Sequence, residues 1–144
     1  MSYTRRDLSL LLPALAAAAS AQDTKTKAVE KMVTTKIYNY PSLPVKVNGT
    51  NASRAVFDGA THGGYHVDIH MTELGPGMAP HPSHHHLHEE VLMLKNGQLD
   101  ITISGKTTRI EAGSVVYVAS NEEHGWKNPG QEKAEYFVMA LGRV

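Results

Sequence analysis

From residue 63 onward the chain alternates apolar and polar residues with the two-residue period of β-strands. Apolar side chains occupy every second position over residues 65–71 and again over 99–103. Residues 91–94 and 115–118 are short continuous apolar runs, and residues 134–141 form a last apolar stretch. Runs of this length and period predict strands.

Turn signals separate these predicted strands. Gly75-Pro76-Gly77 follows the first strand, Asn96-Gly97 predicts a hairpin turn, and Ser104-Gly105 predicts another turn. No segment after residue 21 shows a convincing long helical period. Regular short strands with such turns predict an all-β protein, an antiparallel barrel or sandwich.

The segment before these strands has a different character. Residues 22–36 are polar and rich in Lys and Thr, which predicts a loose leader. Residues 37–47 are interrupted by Pro41 and Pro44, and proline cannot serve a central strand. We therefore assign residues 22–60 to an N-terminal arm and edge segment.

The first 21 residues have a basic start, an apolar middle and a small-residue end. Residues 8–19 fall short of the roughly 20 apolar residues that span a bilayer, and suit the apolar core of an export signal. Ala19-Ser20-Ala21 fits a cleavage site, and Arg5-Arg6 resembles a twin-arginine signal. We predict a bacterial periplasmic or extracellular protein with no membrane contact in its mature form. The alternative is an N-terminal amphipathic helix of the mature fold.

Length and composition exclude several classes of protein. The 144 residues suffice for one domain with a real core. Fourteen basic residues balance fourteen acidic ones, so no basic surface argues for nucleic acid. The chain has no cysteine, which excludes disulfides and thiol catalysis.

The densest chemistry lies in HPSHHHLHEE, residues 81–90, with five histidines and two glutamates in ten residues. His84 and Glu90 would lie about 20 Å apart on a straight strand, so they can share a metal ion only if the chain bends. His84 and His86 share a strand face, the bend would fall at residues 87–89, and a later strand should supply a further ligand. His124 is the only histidine after the cluster. The alternative is an exposed histidine tract.

The spacing of these residues follows a recognisable motif. It reads H-x-H, three residues, E, six residues, G, and here consists of His84, His86, Glu90 and Gly97. No other register of the cluster fits, since Glu89 would miss the glycine by one position. The glycine that usually opens the motif is displaced by one residue.

A second motif follows at matching spacing, with Gly113, His124 and Asn128 in place. Ala119 stands where Pro is usual and Asn121 where Gly is usual, and Asn tolerates positive φ better than most residues. With both motifs, the chain resembles the cupin superfamily over residues 63–141. The resemblance implies a double-stranded β-helix, or jelly-roll, barrel, to which we assign residues 61–144. It also implies one metal ion held by His84, His86, Glu90 and His124.

Three imidazoles and one carboxylate suit a divalent transition metal; we favour Mn or Fe, with Ni, Co, Cu and Zn as alternatives. Four protein ligands leave two positions of an octahedral shell open. We therefore predict a metalloenzyme that acts on a small organic molecule, with dioxygenase-type oxidoreductase chemistry as the leading reaction. The alternatives are a metal-dependent isomerase or lyase, and a protein that binds a metal or small ligand without catalysis.

The surroundings of the site are less determined by the sequence. The predicted cavity walls are apolar and favour an apolar or aromatic substrate: Leu92, Leu94, Ile101, Ile103 and Val116. We expect the remaining cluster histidines at an exposed rim: His81, His85 and His88. The sequence leaves open whether four further side chains line the cavity. The alternative is a surface position for His66 and His70, and packing in the core for Tyr117 and Trp126. Finally, the last strand is apolar on both faces, which predicts a homodimer.

Overall fold

The structure, a computed structural model, describes residues 31–143, so the predicted export signal lies outside the described part of the chain. In that part regular structure consists of nine strands and one short 3-10 helix, Tyr40–Ser42. The strands are β1 (Val45–Asn48), β2 (Asn51–Ala60), β3 (Tyr65–Leu74), β4 (Glu89–Asn96), β5 (Gln98–Ile103), β6 (Lys106–Glu111), β7 (Val115–Val118), β8 (His124–Lys127) and β9 (Ala134–Arg143). Among the described residues, no helix is long and apolar enough to cross a membrane.

The strands form two antiparallel sheets. The larger has the order β1-β2-β3-β9-β4-β7 and the smaller the order β6-β5-β8. The last strand, β9, thus lies at the centre of the larger sheet between β3 and β4. The predicted all-β class and antiparallel arrangement are confirmed.

The core lies between the two sheets and follows the strand alternation. On β9, Tyr136 and Val138 are buried, whereas Phe137 and Met139 lie on the outer side and are half-buried. Each large side chain fully removed from water stabilises the fold by about 1.5–3 kcal/mol. The core cluster consists of Leu74, Leu92, Leu94, Leu99, Ile101, Trp126, Ala134, Tyr136 and Val138.

The structure of the Asn96-Gly97 turn differs from the one that the sequence predicts. It was predicted as a hairpin, but β4 and β5 belong to different sheets and do not pair with each other. Gly97 instead makes a corner between the sheets, with φ of 82°. A Cβ there would lie 2.9 Å from the Ala134 Cα and 2.9 Å from the Lys133 carbonyl oxygen, so the corner requires glycine.

The Ser104-Gly105 turn, by contrast, is confirmed, because it joins the paired strands β5 and β6. Ile103 pairs with Lys106 across this two-residue loop. Both loop residues have positive φ, 47° for Ser104 and 78° for Gly105. That combination is typical of the hairpin turn whose twist matches the strands.

The sheet also extends further toward the N-terminus than the pattern indicated. Residues 51–60, which we had placed in the arm and edge segment, form the ten-residue strand β2, paired with β3 almost throughout. This strand has little apolar alternation, because neighbouring strands rather than its own side chains hold it in place. The short strand β1 does lie at the sheet edge. The sequence pattern does not predict strand β6, because nearly all of its side chains are exposed.

Candidate metal centre

The bend expected within the histidine cluster is present. His84 and His124 form an isolated antiparallel bridge, with N–H···O distances of 3.0 and 2.9 Å. The chain then bends at residues 87–88, and β4 begins at Glu89. The Asn121 N–H donates to the His86 carbonyl at 2.8 Å and fixes the loop between the bridge and the bend.

Three predicted ligands, His84, His86 and His124, converge at this point. One ring nitrogen of each lies within 4.8 Å of the others, so the three could hold a metal ion. Their ring centroids are 4.8 to 5.1 Å apart. His124 opens β8 and is almost completely buried, at 1 % exposure.

The fourth predicted ligand, Glu90, brings a buried carboxylate to the same point. Its Oε1 lies 3.3 Å from His86 Nε2, and its Oε2 lies 3.3 Å from His124 Nε2. Because Glu90 is the second residue of β4 and points inward with Leu92, the strand holds this carboxylate against the histidine rings. The structure therefore brings Glu90 beside His86 and His124, two members of the histidine group.

The hydrogen bonds of the histidines indicate which ring nitrogens are available to a metal ion. His86 Nδ1 lies 2.9 Å from the His88 carbonyl oxygen, and His124 Nδ1 lies 2.8 Å from the Glu122 carbonyl oxygen. A carbonyl can only accept, so both Nδ1 atoms carry the hydrogen and each neutral ring presents an Nε2 lone pair. Ligand histidines in metalloproteins are oriented in this way.

The resulting arrangement fits a cation. The Nε2 atoms of His86 and His124 and the Oε2 of Glu90 are buried without a hydrogen-bond partner, and so is His84 Nδ1. Buried polar atoms without partners are costly. Lone pairs that converge with no donor between them are stabilised by a positive ion. The donor set suits a transition metal.

His88 lies closer to this centre than the sequence indicated. We expected it at an exposed rim, but its ring stacks on His86 at a centroid distance of 3.5 Å. Its Nε2 lies 3.5 Å from Glu90 Oε1, and His86, His88 and Glu90 form a second, overlapping group that could hold a metal ion. The bend at residues 87–88 turns this side chain back toward the site, which the motif spacing alone does not reveal.

Burial favours the neutral, metal-binding form of two of these histidines. The pKa of His84 is lowered by burial and then by the nearby rings of His81, His124 and His86. The pKa of His88 is lowered by burial and by His86, while Glu90 and Asp68 partly oppose the shift. A lowered pKa keeps the imidazole lone pair available to a metal ion at a lower pH than usual.

The second motif has a structural explanation at two positions. Asn121, at the usual glycine position, has φ of 61°, so the expected tolerance of positive φ is confirmed. Asn128 is fully buried; its Nδ2 donates to the carbonyl oxygens of Leu74 and Glu132, and its Oδ1 accepts from the Gly130 N–H. These bonds hold the loop before β9 against the end of β3.

The apolar residues near the site form a packed floor rather than open walls. Leu92, Leu94 and Ile101 belong to the buried core cluster, and Ile103 and Val116 pack against it. This corrects the expectation of a cavity walled by these side chains. On the same side, Trp126 is buried with its ring 5.8 Å from that of His124, so it packs in the core and supports a candidate ligand.

The polar residues of β3, in contrast, face the interior. His66, Asp68 and His70 occupy the register positions opposite Gly142, Ala140 and Val138 of β9. Directly opposite residues of an antiparallel pair share a sheet face, and on β9 this is the face that carries the core. His66 and His70 therefore occupy inward-facing positions on β3.

Other candidate residues remain at the surface. His81 and His85 are exposed as expected, although the His81 ring makes an edge contact with His84 at 4.3 Å. Tyr117 is 57 % exposed and does not reach the site. His85 and Tyr117 can therefore be changed without touching the four predicted ligands.

Comparisons with known proteins agree with the fold and the motifs. Residues 70–140 match the sequence model of the cupin domain family. This match and the structural neighbours agree with the predicted fold, a jelly-roll cupin barrel, which is confirmed. The search of curated proteins gave no match.

Solved structures share this fold at low sequence identity. An RmlC-like cupin from Shewanella frigidimarina is 14 % identical, with a TM-score of 0.63, and the alignment covers 76 % of this chain and 92 % of that one. The polyketide cyclase RemF from Streptomyces resistomycificus is 16 % identical, with a TM-score of 0.62 and coverage of 77 % and 86 %. A sugar phosphate isomerase of the cupin superfamily from Silicibacter pomeroyi is 14 % identical, with a TM-score of 0.60 and 76 % of each chain covered. At these identities the likeness concerns the fold alone.

Proposed function

We propose that this cupin binds one divalent transition-metal ion through His84, His86, Glu90 and His124. The observation that carries the proposal is the group of buried lone pairs on the His86, His124 and Glu90 side chains, which lack a hydrogen-bond donor. The carbonyls that accept from His86 and His124 fix the orientation of both rings. Trp126 and the packed floor exclude water from the core side.

We further propose that the bound ion supports dioxygenase-type oxidation of a small organic molecule. A bound Fe or Mn ion would supply redox chemistry and Lewis acidity at this point. The one carboxylate, Glu90, leaves an excess of positive charge on a divalent ion, which favours coordination of a substrate oxygen. The half-exposed side of the site, toward β3, provides the route by which a substrate reaches it.

A metal-dependent isomerase or lyase is the second candidate, and His88 favours it. Its imidazole is partly exposed and lies beside the predicted ligands. Because burial lowers the pKa of His88, the ring is neutral at pH 7 and can accept a proton from a bound substrate. A protein that binds its ligand without turnover is the third possibility.

The function can be tested by comparing chain samples loaded with Fe²⁺, Mn²⁺ or Zn²⁺ on a panel of small hydroxylated, amine-bearing and aromatic compounds. We expect substrate loss with stoichiometric O₂ uptake in the Fe or Mn sample only. Turnover without O₂ uptake, including in the Zn sample, would favour the isomerase or lyase. Binding without turnover of any compound would contradict an enzymatic role. Apo protein and the His124→Ala variant are the controls.

We propose Mn or Fe as the native metal because the predicted twin-arginine signal would export an already folded barrel. Folding before export allows a weaker-binding metal to be retained, whereas an empty site outside the cell would favour copper. We expect Arg5→Lys combined with Arg6→Lys to block export. A replacement signal for unfolded export should change the metal found by elemental analysis. Unimpaired export in the first case, or an unchanged metal in the second, would contradict this coupling.

We also propose that a second copy of the chain covers the outer face of the larger sheet. Met93, Val115 and Tyr117 are 50 %, 59 % and 57 % exposed there. They flank half-buried Phe137 on β9 and form an apolar surface on β4, β9 and β7. Within the described part of the N-terminal arm, the Tyr38 ring packs on Phe57 of β2.

Sedimentation velocity at micromolar concentration should therefore show a dimer. Met93→Glu would bring two like charges into the interface and should yield a monomer. Met78→Glu, at an exposed methionine after β3, is the matched control and should remain dimeric. A wild-type monomer, or equal effects of both variants, would count against this interface.

A further inference from the structure

The central strand of the larger sheet carries only small side chains at the level of the candidate ligands. Ala140 of β9 pairs with Asp68 of β3 on one side and with Glu90 of β4 on the other. The next inward position is Gly142, opposite His66. Because neighbouring strands lie about 4.8 Å apart, the backbones of β3 and β4 are separated by about 10 Å across these two residues.

Gly142 leaves room for a Cβ between two histidines. A Cβ placed on Gly142 would lie 3.8 Å from the Cβ atoms of both His66 and His88, an ordinary contact distance. No larger side chain of β9 fills the gap between them. We call the resulting depression the polar trough: Ala140 and Gly142 form its floor, and His66 and Asp68 form its wall opposite the candidate metal ligands.

The wall of the polar trough is acidic and partly exposed. Asp68 and His70 are 42 % and 35 % exposed, and their closest approach is 3.9 Å, longer than a hydrogen bond. Asp58 lies at the rim and pairs with His66 Nε2 at 2.7 Å. Asp68 is also close enough to His88 for their charges to interact.

On the four strands around the trough, β2, β3, β4 and β9, no lysine or arginine shares the face that carries these carboxylates. The inward-facing register positions of β2, β3, β4 and β9 carry none, and Arg54 and Lys95 belong to the opposite face, with Lys95 paired to Glu135. A phosphate or carboxylate in the trough would therefore meet like charge without a cationic partner from these four strands. A group with N–H or O–H donors would find acceptors in Asp68 and the neighbouring imidazoles.

We propose that the polar trough binds the part of the substrate that does not contact the metal, and that this part carries hydrogen-bond donors, hydroxyl or ammonium, rather than an anionic group. The proposal rests on the metal-binding function proposed above. This substrate class differs from the apolar or aromatic one that the sequence favoured. That expectation depended on apolar side chains that belong to the core cluster or pack against it. Asp68 is the specificity-determining residue of this subsite.

The proposal can be tested with four hydroxamates of equal chain length, which share a metal-chelating head group and end in an ammonium, a hydroxyl, a methyl or a carboxylate. Each is titrated into Mn²⁺-loaded full chain, and the metal content of every sample is measured. We expect the ammonium and hydroxyl probes to bind about tenfold more tightly than the carboxylate probe. Comparison of those two probes distinguishes an amine substrate from a polyol.

The variant Asp68→Asn removes the charge with little change in shape, and should reduce that preference to less than about twofold. Gly142→Leu fills the trough and should weaken the probes with polar tails. Glu111→Gln, an exposed carboxylate on β6, is the matched control and should behave as wild type. Equal binding of all four probes to metal-loaded protein, or an unchanged preference in Asp68→Asn, would overturn the proposal. If the chain retains no Mn²⁺ and binds no probe, the metal site itself fails, and the trough proposal fails with it.

Discussion

Replacement of His124 by alanine is expected to weaken metal binding by more than about 100-fold, since even the loss of an outer partner of a ligand costs about 10–100-fold. His124 is the one predicted ligand from the second motif, and its buried Nε2 faces Glu90 at 3.3 Å. No other histidine from the smaller sheet can replace it. Isothermal titration with Zn²⁺ or Mn²⁺ measures the effect, and circular dichroism verifies that the variant is folded.

His85→Ala is the matched control, because His85 lies in the same cluster but is exposed. Its metal affinity should stay within about twofold of wild type, as surface substitutions usually have small effects. His88→Ala distinguishes the two overlapping groups of candidate ligands. A small loss of metal affinity in this variant supports the group that contains His124. A loss from His88→Ala as large as that from His124→Ala would favour the group of His86, His88 and Glu90 instead. Equal losses from His85→Ala and His124→Ala would contradict the assigned register.

Gly97→Ala is expected to lower the free energy of unfolding by about 3 kcal/mol or more, which places it among the severe single substitutions. Two penalties combine at this position. The residue has φ of 82°, which costs an L-residue about 1 kcal/mol or more. Its new Cβ would also overlap the backbone of residues 133 and 134, which cannot move without displacing β9 from the sheet. Urea unfolding followed by circular dichroism measures the change.

Gly105→Ala is the matched control for this prediction. Gly105 has a similar φ of 78°, but a Cβ there would meet nothing within 4 Å. Only the backbone strain remains, and we expect a loss of about 1 kcal/mol. If both variants lose the same amount, close packing at the corner does not contribute and the role assigned to Gly97 is wrong.

The sequence could predict which residues meet at the candidate metal centre for a physical reason. A metal site fixes the spacing of its ligands, because the residues between them must make a particular bend and strand. His84, His86 and Glu90 bracket the bend at residues 87–88, and His124 bridges directly to His84. Strands with one buried face, such as β5, show alternation for a similar reason.

The remaining features depend on contacts that are distant along the chain. Strand β2 is held by its neighbours rather than by its own pattern, and the turn at Gly97 changes sheets because β9 arrives from the other end of the sequence. The period of β3 also cannot reveal which face is inward. Only the pairing of Asp68 with Ala140 shows that the polar face of β3 lines the trough.

The central claim, a metal ion held by three histidines and one glutamate, is tested most directly by a crystal structure of the metal-loaded chain with anomalous scattering at the metal edge. We predict one anomalous peak per chain, within about 2.0–2.3 Å of a ring nitrogen of His84, His86 and His124 and of a Glu90 carboxylate oxygen. No peak at this point from a metal-loaded crystal, or a peak coordinated by His88 while His84 and His124 turn away, would contradict the account.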